Sequence, residues 1–166
     1  MEANALVGPL EPKEVASAQV ASLEALYRNE YAAMVRLAHL ITGSNEVAED
    51  LVQESFVRLH GNWARADNPA VYLRTTVVNR CRSWQRRQVL ERRRRPRPQP
   101  AAVDAEVREL LDALAQLGAR QRAALVLRFY ADLPETEIAR ALGCRCGTVK
   151  SLIHRGLRQL EGAIER

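Results

Sequence analysis

The chain has 166 residues, of which 47% are apolar and 5% aromatic, and its net charge is +5. This length permits one domain or two small ones, each with a buried core. No apolar run is long enough to span a bilayer and no signal-peptide pattern is present, so we expect a cytoplasmic protein without membrane insertion.

The charge is unevenly distributed along the chain. Residues 74–97 contain ten arginines and one acid, Glu91, so this segment carries +9 and the remainder carries −4. A basic block inside a mildly acidic chain favours a local binding site for a polyanion. A solvated helical face followed by a charged linker would have the same composition.

The first 60 residues predict a tail and two helices. Residues 1–21 have no strong pattern and are expected to form a flexible tail. A helix is predicted from about Ser22 to Ile41, with Gly43 as its stop. Ser44 or Asn45 can cap a second helix that runs to about His60. Its apolar stripe contains Ala48, Leu51, Val52, Phe56 and Leu59. Its other face lacks basic residues and contains Glu46, Glu49, Asp50, Gln53 and Glu54.

A third helix and a proline-rich linker follow. Asn68 and Pro69 have the types expected of an N-cap and a first helical residue. The helix is predicted to continue into the arginine run, until the prolines at 96, 98 and 100 end it. Three prolines and repelling arginines favour an extended linker over residues 96–104. We therefore expect the linker to keep the two halves of the free protein apart.

The second half is also predicted to be helical. One apolar stripe starts near Asp104, ends at Gly118 and contains Val107, Leu110, Leu111, Leu114 and Leu117. Further helices are expected over about Ala119 to Tyr130, Glu135 to Leu142 and Gly147 to Glu161. The predicted fold class is all-α, with two small helical domains at 22–95 and 105–166.

The last two helices have the spacing of a helix-turn-helix. Ile138 and Leu142 face a core, Ala139 permits a close crossing, and Gly143 suits a tight turn of positive φ. Val149 and Leu152 would supply the apolar face of the second helix. The polar residues of that helix fit duplex DNA: Arg145, Thr148, Lys150, Ser151, His154, Arg155 and Arg158. A helical hairpin with a solvated basic face is the alternative.

The cysteines and histidines predict neither a disulfide nor a zinc site. Cys81, Cys144 and Cys146 are odd in number and contain no CxxC pair, and the three histidines are far apart in sequence. We expect reduced thiols, no metal and no cofactor.

Both halves resemble the extracytoplasmic-function group of the sigma-70 family, the bacterial promoter-recognition subunits of RNA polymerase. The matching segments are AEDLVQESFVRL, NPAVYLRTTVVNRCRSWQRR and LGARQRAALVLRFYADLPETEIARALGCRCGTVKSLIHRGL. The blocks cover about residues 23–90 and 107–161. Both blocks in this order, in so short a chain, are highly specific for this family. The alanine- and arginine-rich composition is typical of an actinobacterial genome.

The resemblance implies partners and roles for particular residues. Core RNA polymerase would dock on Asp50, Gln53 and Glu54. The −10 promoter element would be recognised and melted by Asn79, Arg80, Arg82, Arg86 and Arg87. The helix-turn-helix would read the −35 element as duplex, and the linker would settle along nucleic acid or polymerase in the complex. Whether an anti-sigma factor is a further partner stays open.

Four more residues bear on the resemblance. Trp63 could stack on an unpaired base, but Trp63 and Trp84 are better explained as core residues. Many relatives have Asp at the position of Ser83 and Arg at that of Leu152. We interpret the second difference as the loss of one −35 contact.

Two other function classes remain to be weighed. A free-standing helix-turn-helix regulator would use its N-terminal half for dimerisation or sensing, but it does not need an acidic helix beside a basic one. A recombinase or nuclease would need clustered carboxylates with a complementary catalytic group. The carboxylates here share one helix face without such a group, so we expect no enzymatic activity.

Overall fold

The computed structural model describes residues 12–91 and 105–164, which form seven α-helices and two short helical turns. The predicted linker at 96–104, like residues 1–11, lies outside the described residues. The helices are α1 (Pro12–Thr42), α2 (Asn45–Asn62), α3 (Pro69–Glu91), α4 (Ala105–Ala115), α5 (Ala119–Leu125), α6 (Glu135–Leu142) and α7 (Cys146–Ile164).

Helix α1 is longer than the sequence predicted. It begins at Pro12, so the predicted tail boundary near Ser22 is wrong. Proline is compatible with a first helical turn, and the residues that follow Pro12 contain no further glycine or proline until Gly43. Gly43 ends the helix with φ +79°, a backbone conformation that glycine adopts without strain.

Helices α2 and α3 begin at the predicted caps. The Ser44 hydroxyl accepts a hydrogen bond from the backbone N–H of Val47, and the Asn68 side chain accepts one from Val71 at 3.1 Å. The predicted apolar stripe of α2 is confirmed, because all its members are buried: Ala48, Leu51, Val52, Phe56 and Leu59. This stripe packs against α1 and α3 to form the core of the first half.

The stripe of α4 is confirmed only in part. Leu114 and Leu117 are buried, whereas Leu110 is 49% exposed, and the side chain of Val107 lies outside the described residues. The stripe predicts which residues can face a core, but the packing around α4 covers only its C-terminal end.

The helix predicted over residues 119–130 changes type after Leu125. A π-helical segment, Val126–Tyr130, replaces the last turns of the predicted α-helix. The wider winding shifts the register of the side chains, so that Val126 is buried while Phe129 is 64% exposed. Helical periodicity in the sequence does not distinguish these two forms.

The predicted helix-turn-helix is confirmed as a structure formed by α6 and α7. Gly143 occupies the left-handed region at φ +59° and ψ +49°, and it connects the two helices. Gly156 lets α7 approach α5, because a β-carbon there would lie 2.8 Å from Leu125 Cδ1.

The two halves pack against each other, so the expectation that the linker holds them apart is wrong for this structure. Helix α3 contacts α5 and α6, and α1 contacts the π-helical segment. Arg82 and Arg122 each donate a hydrogen bond across this boundary, which we call the seam. Extension of the linker was inferred from its own residues, whereas packing depends on the surfaces that it connects.

Candidate nucleic-acid and protein interfaces

The acidic face of α2 is open to solvent. The predicted docking residues Asp50, Gln53 and Glu54 are all exposed. They line a shallow cavity of about 400 Å³ together with Val57, Arg58 and Arg80. Val57 is 74% exposed, which adds an apolar contact to the charged ones. Sequence reasoning missed Val57, although its spacing of four from Gln53 places it on the same helix face.

An ion pair connects the docking face to the basic helix. Glu54 on α2 accepts a hydrogen bond from the Arg80 guanidinium on α3. The two side chains are 55% and 31% exposed, so solvent screens the pair. A residue predicted to bind polymerase therefore neutralises one predicted to bind DNA.

The other basic residues of α3 differ in their surroundings. Asn79, Arg86 and Arg87 are exposed, whereas Arg82 is partly buried at the seam. Arg82 Nη1 donates to the backbone carbonyl of Leu142 at 3.1 Å. Of the five predicted −10 residues, three are thus exposed and Arg80 is partly exposed beside Glu54. Arg82 is bonded to the other half.

Ser83 has a defined role in this helix. Its hydroxyl accepts a hydrogen bond of 3.1 Å from Arg86 Nη2. An aspartate there would offer a charged acceptor to the same guanidinium. The neutral serine hydroxyl therefore holds Arg86 less strongly than a carboxylate at this position would.

Burial alters two pKa values on α3. Partial burial lowers the pKa of Arg82, and the nearby charges of Arg120 and Arg86 lower it further. Arginine remains protonated at neutral pH even so, and Arg82 stays a hydrogen-bond donor. Burial also raises the pKa of the Cys81 thiol to about 12, so this thiol stays protonated.

The recognition face of α7 is accessible. Six of the seven predicted −35 residues are exposed and Thr148 is half-buried; the six are Arg145, Lys150, Ser151, His154, Arg155 and Arg158. Lys150 lies 3.8 Å from the Glu135 carboxylate on α6. Arg155 Nε donates to the Ser151 carbonyl at 3.1 Å, so its guanidinium is aligned along the helix.

Position 152 belongs to the core and not to the recognition face. Leu152 is 6% exposed and Val149 is fully buried, which confirms that they form the apolar side of α7. A buried leucine offers no group to DNA, so the loss of one −35 contact at this position stays a prediction. The two tryptophans also meet expectation, because Trp63 and Trp84 are half-buried against the core.

Two features of residues 12–91 and 105–164 bear on other functions. No group of three His, Cys, Asp or Glu side chains among them is placed to hold a metal ion. None of the helices in this part of the chain is both long and apolar enough to cross a membrane.

Two family matches cover most of the chain. Residues 26–91 match sigma-70 region 2, and residues 107–160 match sigma-70 region 4. The first match covers α2 and α3, and the second covers the helix-turn-helix.

Two relatives and one solved structure are similar to this chain over most of their length. The RNA polymerase sigma-E factor of Streptomyces avermitilis is 32% identical over 91% of this chain and 89% of its own length. The ECF RNA polymerase sigma factor SigL of Mycobacterium tuberculosis is 34% identical over 87% of this chain and 90% of its own. The sigma factor RpoE of Bartonella quintana, solved in complex with the anti-sigma factor NepR, has the same fold. Its TM-score is 0.75 at 22% identity, covering 87% of this chain and 97% of that one.

Proposed function

This chain belongs to the extracytoplasmic-function group of the sigma-70 family, and from that premise we propose a role for each of its helices. As a sigma factor it binds core RNA polymerase and directs it to promoters. We propose that α2 docks on the polymerase, that α3 recognises and melts the −10 element, and that α6 and α7 read the −35 element. The first two roles belong to residues 22–95 and the third to residues 105–166.

The observation that carries this proposal is the separation of charge between exposed faces. The acidic side chains of α2 form one surface with the apolar Val57, which suits a protein partner. The exposed face of α7 is basic, which suits the phosphates of duplex DNA. A free-standing regulator would have no use for the first surface.

The −10 role rests on the exposed polar edge of α3. Asn79 offers an amide that can pair with an exposed base edge. Arg86 and Arg87 are exposed cations that can hold the phosphates of a separated strand. Arg80 and Arg82 already use Nη1 for contacts with Glu54 and Leu142, so only their remaining donors are available to the same strand.

We further propose that the chain works in the cytoplasm, without catalysis of its own. The clustered carboxylates Asp50 and Glu54 share their cavity with Arg58 and Arg80, a pattern that suits protein docking. The Cys81 thiol is protonated and buried, so it is a poor nucleophile. An anti-sigma factor is a third partner in this proposal, because the B. quintana sigma factor of the same fold was solved with one.

Charge reversal on α2 tests the docking role. Asp50→Arg combined with Glu54→Arg should abolish co-purification with core polymerase and transcription from a cognate promoter. The fold should survive, because both side chains are exposed and lie outside the apolar stripe. Circular dichroism would verify the helical content of the variant.

The matched control changes the same charges elsewhere. Glu109 and Asp112 are exposed on α4, and Glu109→Arg with Asp112→Arg should leave polymerase binding intact. Normal co-purification of the α2 variant would overturn the docking role. Equal loss in both variants would show that net charge alone matters.

A further inference from the structure

Two cysteines lie on either side of a single residue where the chain enters α7. Cys144 follows the turn at Gly143, and Cys146 is the first residue of α7. Both thiols are free, and Cys146 is exposed whereas Cys144 is half-buried. Only Arg145 separates them, and neither thiol has a part in polymerase docking or in the reading of DNA as proposed above.

The backbone keeps these two cysteines within reach of a disulfide. Successive Cα atoms are about 3.8 Å apart, so the Cα atoms on either side of one residue lie no more than about 7 Å apart in any conformation. A disulfide joins residues whose Cα atoms are roughly 4.4–6.8 Å apart. A modest rotation of the backbone at Arg145 is therefore enough to bring Cys144 and Cys146 into the range that the bond requires.

The third cysteine provides a contrast in reactivity. Thiol oxidation requires a thiolate that the oxidant can reach. Cys81 is fully buried in α3, and burial raises its pKa to about 12, so this thiol stays protonated and shielded. Cys146 is exposed, and its position at the start of α7 places the positive end of the helix dipole beside it. An oxidant should therefore react at the turn and spare Cys81.

The residue between the two thiols supports the first turn of α7. The Arg145 carbonyl accepts backbone hydrogen bonds from Thr148 at 2.9 Å and from Val149 at 3.2 Å. On the other side, the Cys144 N–H donates to the Ala139 carbonyl on α6 at 2.9 Å. A disulfide would close a small ring around Arg145. Rotation of its backbone in that ring would weaken the two bonds at the start of α7 and would redirect the Arg145 side chain.

We propose that Cys144 and Cys146 form a reversible oxidation site, which a peroxide closes to a disulfide and a small thiol reopens. The disulfide turns Arg145 away from −35 DNA and disrupts the first turn of α7. This effect on DNA rests on the function proposed above, whereas formation of the bond does not. Strained or exposed disulfides are the labile ones, which suits a bond that has to be reversed.

The oxidation consumes one peroxide for each pair of thiols. The Cys146 thiolate attacks one oxygen of hydrogen peroxide, the O–O bond breaks, and the departing hydroxide takes up a proton to become water. The Cys144 sulfur then attacks the sulfenic acid on Cys146, the S–O bond breaks, and a second water leaves. Two thiols and one hydrogen peroxide thus give one disulfide and two water molecules.

Peptide mapping of the oxidised full chain tests the bond. The chain is treated with hydrogen peroxide, the excess is removed with catalase, and the remaining thiols are capped with N-ethylmaleimide under denaturing conditions. Trypsin, which cleaves after arginine and lysine, separates residues 141–145 from residues 146–150. Without reductant, we expect these two peptides to remain joined in material from a monomeric chain. Cys81 should carry the maleimide.

Promoter binding by the reassembled holoenzyme tests the effect on DNA. The oxidised chain, freed of peroxide, is mixed with untreated core polymerase and a cognate promoter. We expect promoter affinity to fall roughly 10-fold or more, because the Arg145 contact and the first turn of α7 are lost together. Dithiothreitol added to the oxidised chain before assembly should restore the affinity of the reduced protein.

Cys144→Ser combined with Cys146→Ser is the matched control. This variant lacks both thiols of the turn and retains Cys81, so peroxide treatment should leave its promoter affinity at the level of the reduced wild type. If the double variant misfolds, Cys146→Ser alone serves instead, because it replaces only the exposed thiol and still prevents the disulfide.

The outcomes separate the oxidation site from the proposed function. Recovery of peptides 141–145 and 146–150 as separate species, or joined only in a covalent dimer, would overturn the oxidation site. A disulfide-bonded chain with unaltered promoter affinity would overturn the effect on −35 recognition. If the untreated chain failed to direct polymerase to promoters, the proposed function would fail, while the peptide map would still decide the disulfide.

Discussion

The recognition face of α7 and the basic edge of α3 are both proposed to bind DNA, yet the free structure treats them differently. On α7, Lys150 and Arg155 are exposed, and their contacts are to groups within the helix-turn-helix. On α3, Arg80 is paired with Glu54 on α2, and Arg82 is bonded across the seam. The surface proposed to read the −35 element is therefore free of contacts to the other half, whereas two of the five proposed −10 residues, Arg80 and Arg82, are engaged by other helices.

The largest expected effect concerns what α7 needs in order to stay folded. Leu152→Ala should reduce the free energy of unfolding by about 2–5 kcal/mol, because it leaves a cavity beneath the recognition face. Chemical denaturation would measure the loss. Ser151→Ala is the neighbouring control, since its exposed hydroxyl bonds only to the Gly147 carbonyl. If Leu152→Ala instead kept its stability and changed promoter preference, position 152 would be a DNA contact.

A smaller effect is expected when single basic side chains are removed from the recognition face of α7. Lys150→Ala and Arg155→Ala should each weaken promoter binding by the holoenzyme. If each side chain holds a phosphate, the slope of log affinity against log salt should flatten by about one unit per variant. If Lys150 reads a guanine, its loss should cost about 1–3 kcal/mol at one base position. Unaltered promoter affinity in both variants would indicate that the helix-turn-helix is a structural hairpin and does not contact DNA through these residues.

The smallest effect concerns the ion pair that restrains α3. Glu54→Gln removes the negative charge beside Arg80 and should strengthen binding of the free protein to single-stranded −10 DNA. A screened pair is worth about 1 kcal/mol or less, so the gain should be at most about fivefold. Fluorescence anisotropy at low salt would measure it, with Glu49→Gln as the control. Equal affinity in the two variants would mean that Arg80 is not restrained by Glu54.

Some features of this protein followed from the sequence because they depend on residues a few positions apart. The caps at Ser44 and Asn68, the turn at Gly143 and the buried stripe of α2 are all of this kind. Helical spacing also predicted that the polar residues of α2 and α7 would be exposed. These local rules, with the resemblance of both blocks, were enough for the fold class and the family.

Other features were decided by tertiary packing alone. Nothing near Arg82 in the sequence indicates its acceptor, because the Leu142 carbonyl lies sixty residues away. Arg122 is likewise an ordinary helix residue until α1 places the Leu40 carbonyl beside it, eighty-two residues distant along the chain. Composition predicted a stiff linker and separated halves, but it could not show that the two surfaces fit each other. A backbone carbonyl is present at every residue, so only the three-dimensional approach of two helices determines which one an arginine binds.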